Sequence, residues 1–279
     1  MKKNSTMFFG AVFCFCLAGG LSATRLQAET SEGSLAVWSQ AQGSEYPVLL
    51  SRYKDGEWSS PEKLSFNNRL NLVPSVTSGQ GDENWVVWST VEGEQTNLYF
   101  KYFRNGTWSE EKKIETGFTS NTAPSIAVDA DGVVWLAWAA FDGQDDEIYI
   151  TNWNGTTFTP PQRISDNQVP DILPIMSFDS TSKQLAVEWQ GYAAGTYSSF
   201  QSNYSHGKWS QASEVSEVKE QVSTSSATAM NMMQLNRPAN ESVEVDLPEF
   251  LLSQPSLSLH IKGKAVQSMP ARLLQMENE

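Results

Sequence analysis

Cysteine is nearly absent from this chain. The 279 residues hold two, Cys14 and Cys16, and both fall in an N-terminal apolar stretch. Without that stretch no disulfide and no thiolate chemistry remains, so the fold must be held by core burial alone. Histidine is equally scarce: His206 and His260 are the only two. That is too few for a His/Cys metal cluster, and His206 sits in an expected turn, which excludes a Ser-His-Asp triad built on it. Positive charge is short as well, with 19 Lys and Arg against 32 Asp and Glu and a formal charge of −13. Such a chain repels nucleic acid and anionic membrane surfaces. No long hydrophobic run is present either. The longest, Met7 to Ala23, spans about 17 residues rich in small side chains, which is short for a membrane helix.

Lys2 and Lys3 precede that run, and Leu26-Gln27-Ala28 follows it as a small-residue cleavage site. Residues 1–28 are therefore expected to be a secretory signal peptide. The residues before Cys14 and Cys16 do not form a lipoprotein signal. Removing residues 1–28, which contain Lys2, Lys3 and Arg25 and no acid, takes the formal charge from −13 to −16. The expected location is secreted or periplasmic, with no stable membrane insertion after cleavage.

What the chain has in abundance is tryptophan, and it is periodic. Trp38, Trp88 and Trp138 lie 50 residues apart, and Trp189 follows at 51. Trp58, Trp108, Phe158 and Trp209 repeat the spacing, as do Leu64, Ile114, Ile164 and Val215, and Pro74, Pro124 and Pro174. A tandem repeat of this length with Gly turns points to radial or linear β units. In one unit, Pro74–Ser78 reads as a first strand and Trp85–Trp88 as a second, apolar throughout as for a strand buried on both faces. Asn97–Phe103 alternates as a third. Asn105-Gly106 is a hairpin signal, because both residues tolerate positive φ, and Trp108–Ile114 is a more polar fourth strand. The same turn reads Asp55-Gly56, Asn154-Gly155 and His206-Gly207 in the other units.

The expected fold is thus all-β: a β-propeller-like array of four-stranded antiparallel blades with a repeat of roughly 50 residues. The repeat domain is placed at 29–215, a Ser/Thr/Asn/Met-rich linker at 216–240 and a β tail at 241–279. The first unit begins at about Leu35 in the second-strand position, so its first strand must come from elsewhere. Pro255-Ser256-Leu257-Ser258-Leu259 is similar to Pro124-Ser125-Ile126-Ala127-Val128, which makes the tail the candidate to complete the first blade, with Lys262-Gly263-Lys264 as the following turn. In the fourth unit Glu188 occupies the place of Trp38 and Trp189 is displaced by one. A bulge in that strand is expected to return Trp189 to the core, since an unpaired buried carboxylate is costly.

The segments Asp55-Gly56-Glu57-Trp58-Ser59, Asn105-Gly106-Thr107-Trp108-Ser109 and His206-Gly207-Lys208-Trp209-Ser210, with the Asn/Asp-x-x-Pro strands, carry a family resemblance. Residues 35–215 resemble the sialidase-type, BNR-like propeller repeats of exported bacterial proteins. The full Ser-x-Asp-x-Gly-x-x-Trp signature is absent from every unit. The resemblance implies a propeller, and for an active sialidase it implies clustered arginines with a Tyr/Glu pair. Arg52, Arg69, Arg104 and Arg163 do not share one repeat position, so a non-catalytic variant is expected.

Two sets of residues are candidate ligand contacts. Asn71, Asn121 and Asp171 lie 50 apart, three residues before each first-strand proline, where they would ring one mouth of a central channel. The alternative is that each caps the turn entering its strand. Trp58, Trp108 and Trp209 follow an outer turn, either packing blades or presenting rings to sugars. The acidic segments Asp129–Gly132 and Asp142–Glu147 offer oxygen ligands to calcium, or are hairpin turns; no metal site, catalytic residue or cofactor is assigned. The expected function is an exported binding module for carbohydrate or protein, with a sialidase-type hydrolase and a structural envelope component as alternatives. Nothing in the sequence addresses oligomeric state.

Overall fold

The computed structural model describes residues 26–27, 33–165, 167–193, 195–215, 243–244, 248–252, 254, 256–260 and 269–270. The expected linker at 216–240, the turn at 262–264 and all of the expected signal peptide except Leu26–Gln27 lie outside the described residues. Among the described residues the protein is all-β apart from one helical turn, Glu249–Leu252, and four antiparallel sheets form propeller-like blades. No helix among the described residues is long and apolar enough to cross a membrane.

The second blade shows the plan. Leu70–Ser78 is the inner strand, Asn84–Glu92 the second and Gln95–Arg104 the third. Two short outer pieces, Thr107–Trp108 and Lys112–Lys113, both pair with the third strand. Asn105 and Gly106 turn between them at φ 52° and 79°, the positive-φ pair that a two-residue hairpin with matching twist requires. Ser109 then closes the hairpin, its Oγ accepting the Tyr102 N–H at 3.1 Å. Ser59, Thr159 and Ser210 do the same for Arg52, Asn152 and Asn203. This is what the hydroxyl after each turn aromatic is for. The third blade keeps the length of the turn but folds it as an Asx turn, with Asn154 Oδ1 accepting the Thr156 and Thr157 N–H groups.

Each inner strand begins earlier than its proline. It carries a bulge between Leu72 and Ser75, Thr122 and Ser125, and Ile172 and Ile175. Val73, Ala123 and Leu173 sit in these bulges at φ 46°, 49° and 55°, a strained region for residues with a Cβ. The proline that follows has no N–H to leave unpaired, which suits it to a bulge.

Blades pack through alternate faces. Val76, Val86 and Trp88 of the second blade meet Leu35, Val37 and Leu50 of the first. Its other face, with Trp85, Val87 and Phe100, meets Ile126, Leu136 and Trp138 of the third. Trp135, Ala137 and Ile150 of the third meet Met176, Val187 and Trp189 of the fourth. Inner strands are also tied directly: Ser75 Oγ accepts the Ile126 N–H at 3.2 Å and Ser125 Oγ the Met176 N–H at 2.9 Å. Ile175 holds this place in the fourth blade and has no hydroxyl to pass the link onward. Among the described residues no packing cluster joins the fourth blade to the first.

Ser258–His260 is the inner strand of the first blade, antiparallel to Leu35–Ser39. Its register differs from the sequence alignment by two residues. Leu259 faces Ala36 as Val76 faces Val86, so Leu259, not Leu257, takes the place of Ile126. A shift of two preserves which side chains point inward. Leu257 instead packs with Leu251 and Trp38 over the blade's outer face.

The fourth unit also departs from expectation. Its second and third strands pair without interruption from Leu185 to Ala193, so the second strand itself carries no extra residue at Trp189. The extra residue is in the preceding hairpin. Five residues separate Val128 from its partner Val134, but six separate Phe178 from Leu185, with Lys183 at φ 57° absorbing the change. Trp189 is therefore the true equivalent of Trp138, and Glu188 points to the opposite face.

Because Leu251, Leu257 and Leu259 of the tail are buried with Ala36, Trp38 and Leu49 of the first blade, deleting residues 240–279 should lower the melting temperature by more than about 5 °C, given about 2–4 °C per kcal/mol at this size and about 2–5 kcal/mol for each emptied Leu site. Differential scanning fluorimetry checks this; an unchanged melting temperature would show that the strand contributes nothing.

Candidate functional site

The residues expected to ring a channel mouth are inside the protein. Asn71, Asn121 and Asp171 are at most 1 % exposed. Asn71 Oδ1 accepts the indole N–H of Trp88 at 3.1 Å and the Thr90 hydroxyl at 2.8 Å. Its Nδ2 donates to the Tyr46 and Arg69 carbonyls. Asn121 repeats the pattern, accepting from Trp138 Nε1 at 3.0 Å and donating to the Thr96 and Phe118 carbonyls at 2.9 Å. A buried indole N–H needs an acceptor and a buried loop carbonyl needs a donor; one carboxamide supplies both. These side chains pin the loop before each inner strand to the core tryptophan. They present no open polar edge to a ligand.

In the fourth blade the carboxamide is a carboxylate, and the arrangement loosens. Asp171 interacts with Trp189, yet neither Asp171 Oδ1 nor Trp189 Nε1 makes a hydrogen bond among the described residues. Asp171 Oδ2 accepts from Asn167 Nδ2 at 2.8 Å. Burial, opposed by Asn167, pushes the Asp171 carboxyl up to about 6.

Next to it lies an acidic group. Asp142, Asp145 and Glu147 bring carboxylate oxygens within 4.8 Å of one another. The geometry matches turns and ion pairs. Asp142 Oδ1 accepts the Gln144 N–H at 2.9 Å, and its Oδ2 pairs with Arg163 at 3.1 Å. Glu147, 1 % exposed, is held by Arg163 and by the Ser165 hydroxyl. Burial, aided by Asp171 and Asp145 and opposed by Ser165 and Arg163, lifts its carboxyl to about 7. In the other acidic segment Asp129 accepts the Asp131 and Val133 N–H groups and the Trp135 indole N–H, which is a turn former's role.

The four arginines of the repeats are dispersed. Arg69 pairs with Glu92, Arg104 with Glu83 and Arg163 with Asp142 and Glu147. Arg52 stacks over Phe103 and Trp108, 4.8 and 5.3 Å from the ring centres. They form no shared carboxylate clamp.

Trp108 and Trp209 lie at seams between blades, and Trp58 lies on the face of the first blade that the tail covers. Trp108 packs on Phe103 and under Arg52 of the first blade. Trp58 meets Tyr53 and the apolar patch around Leu251. Trp209 meets Tyr204 and, across the seam, Trp135 of the third blade, with ring centres 5.5 Å apart. What differs between seams is one filler residue. Arg52, Tyr102 and Asn152 hold the same position in the first three blades, each opposite the start of the second strand. Arg52 covers the first seam. Tyr102 covers the second, 4.9 Å from Trp85 and 6.2 Å from Trp153. Asn152 is short, and its Oδ1 is drawn back by the Thr159 hydroxyl at 3.0 Å. The third seam consequently stays open as a cleft of about 450 Å³ floored by Trp135, Tyr204 and Trp209. A second cleft of about 610 Å³, lined by Arg163, Ser165 and Gln211, adjoins it through Gln162 and Trp209.

No family model matches the chain, and no curated protein matches it. Among solved structures, a protein of unknown function from Dyadobacter fermentans aligns with a TM-score of 0.54 at 10 % identity, over 67 % of this chain and 66 % of that one, just under two thirds of its length. An endo-arabinase from Bacteroides thetaiotaomicron aligns with a TM-score of 0.44 at 15 % identity, over 65 % and 80 % of the two chains. A GH43 endo-arabinanase from Bacillus licheniformis aligns at 0.43 and 13 %, over 69 % and 80 %. The first of these likenesses shows the fold alone.

Of the candidate residues named from the sequence, Trp209 lines the cleft, Trp108 is in seam packing, Trp58 packs under the tail, and the Asn/Asp set is internal. Asn152 and Tyr204 are not among those candidates, although the substitution of Asn for Arg and Tyr at one repeat position is visible in the chain.

The raised carboxyls of Glu147 and Asp171 set a pH dependence. Their folded values, about 7 and about 6, exceed the ordinary 4.3 and 3.9 of an unfolded chain. The folded state then holds more protons than the unfolded chain between about pH 4 and 7, so this stabilisation is complete below that window and lost as pH rises through it. The melting temperature should rise from pH 8 to pH 5.5, and Glu147→Gln should reduce that rise. Asp171→Asn, which restores the pattern of Asn71 and Asn121, should raise the melting temperature at pH 8 by about 2–4 °C, the equivalent of one hydrogen bond. An unaltered pH slope in Glu147→Gln would refute the assignment.

Proposed function

We propose that this protein is an exported glycan-binding module whose site is the open seam between the third and fourth blades. The observation that carries this reading is the cleft opened by Asn152. Its floor is aromatic, with Trp135, Tyr204 and Trp209, and its walls are hydroxyl and amide side chains, Thr151, Thr159 and Gln162 among them. Sugar rings present C–H groups on their faces and hydroxyls at their edges. Aromatic rings take the faces by dispersion and amphipathic contact, and neutral hydrogen-bonding groups take the edges. The exposed lining of the cleft is more polar than apolar, which suits a hydroxyl-rich ligand held in a concave site of several hundred Å³.

A hydrolytic reading has less support. Glu147 and Asp171, whose carboxyls are raised as a general acid's would be, are at most 1 % exposed and bond within the protein. Glycan binding without bond cleavage needs neither.

Two variants test the site. Trp209→Ala should weaken oligosaccharide binding, identified first on a glycan array, by about tenfold or more, as for an aromatic anchor. Asn152→Tyr refills the seam with the residue that already fills the second one. It should abolish binding while leaving the melting temperature and circular dichroism unchanged. Full affinity in Asn152→Tyr, measured by isothermal titration calorimetry, would remove the site from this seam.

A further inference from the structure

The charges around the seam point to the class of glycan, an inference that rests on the seam being the site. The chain holds 32 acidic and 19 basic residues, yet no carboxylate lines either of the two adjoining clefts. Their only charged lining residues are Lys208 in one and Arg163 in the other. Lys208 is exposed on the outer piece Lys208–Trp209 and makes no ion pair among the described residues. The same turn position holds Glu57, Thr107 and Thr157 in the other three units. Of the four units only the fourth, which completes the open seam, places a cation there, directly before the aromatic residue Trp209. At the other end Arg163 is already engaged by Asp142 and Glu147, so Lys208 is the lining cation without an ion pair among the described residues.

We infer that the seam takes an anionic oligosaccharide, one bearing carboxylate or sulfate groups, with Lys208 receiving an acidic substituent while Trp209 stacks on a ring. A lysine ammonium binds such groups as a point charge through charge-assisted hydrogen bonds. The general field of an acidic protein repels an anionic chain, so a local cation beside the stacking surface is what makes its approach favourable. The two clefts meet at Gln162 and Trp209, which makes a groove longer than one sugar ring and suits a chain over a monosaccharide.

The test is calorimetric titration of the full-length mature protein with three probes of equal length: hexagalacturonate, a sulfated galactan hexamer and neutral cellohexaose. An acidic hexamer should bind about tenfold more tightly than the neutral one. Whichever of carboxylate and sulfate binds more tightly identifies the group. Lys208→Gln should lower affinity for the acidic probe about fivefold, within the range of an exposed charge contact, and leave the neutral probe unaffected. Raising salt from about 0.05 to 0.5 M should weaken wild type far more than Lys208→Gln, since screening acts on the lost contact. Equal binding of neutral and acidic probes, or an acidic preference untouched by Lys208→Gln, overturns the inference and leaves the seam reading intact. Binding of polyglutamate as tightly as hexagalacturonate also overturns it, because the site would then read charge and not sugar. Acidic-probe binding that survives Asn152→Tyr overturns the seam reading itself.

Discussion

A buried indole N–H that must be satisfied is the constraint on which this structure turns. Each blade is centred on a tryptophan of its second strand, and enclosing a side chain that large is costly unless its one polar atom finds an acceptor. Asn71 and Asn121 supply that acceptor to Trp88 and Trp138. The same carboxamides hold loop carbonyls with their N–H groups, so the loop that leads into each inner strand is fixed to the centre of the blade. The bulge ahead of each proline, with Val73, Ala123 and Leu173 at positive φ, is the backbone counterpart. It inserts residues opposite the tryptophan and lets the Asn reach back to it.

Variation on that repeated unit accounts for the individuality of the molecule. Replacing the carboxamide by Asp171 removes the donor and leaves a carboxyl that burial keeps well above its ordinary range. Replacing Asn97 by Glu147 at the corresponding place in the third blade brings in a second one, held by Arg163 and Ser165. Replacing Arg52 and Tyr102 by Asn152 opens a seam. Replacing Ser75 and Ser125 by Ile175 ends the chain of inner-strand links at the fourth blade. In each case three or more copies of one environment show which difference in side chain produced the difference in structure.

Much of the fold was legible because its signals are local. Tryptophans at a spacing of 50, Gly turns that demand positive φ, and apolar second strands depend on the chain near them. The inner strands were read too short, since Asn71-Leu72-Val73 before a proline resembles a loop and becomes strand only through the bulge. The displacement of Trp189 reads, along the chain, as a bulge in its own strand. The extra residue instead lies in the preceding hairpin, where solvent tolerates an insertion and a paired ladder does not. The tail was aligned two residues out of register, because Leu257 and Leu259 have the same polarity and alternation alone cannot separate them.

The candidate site divides the same way. The sequence by itself determined the repeat, the all-β blades and the positions that recur in them, since periodicity of two within strands and of 50 between them is written in the order of residues. Only the tertiary structure decided which recurrent residues face solvent. Asn71, Asn121 and Asp171 are polar and equivalent, which suits a ring of ligand contacts equally well until all three are seen to be buried, the first two on core tryptophans. The cleft beside Trp209 belongs to two blades at once. It exists because a short side chain from the third fails to cover an aromatic surface completed by the fourth, and a gap between non-consecutive surfaces has no signature along a single strand.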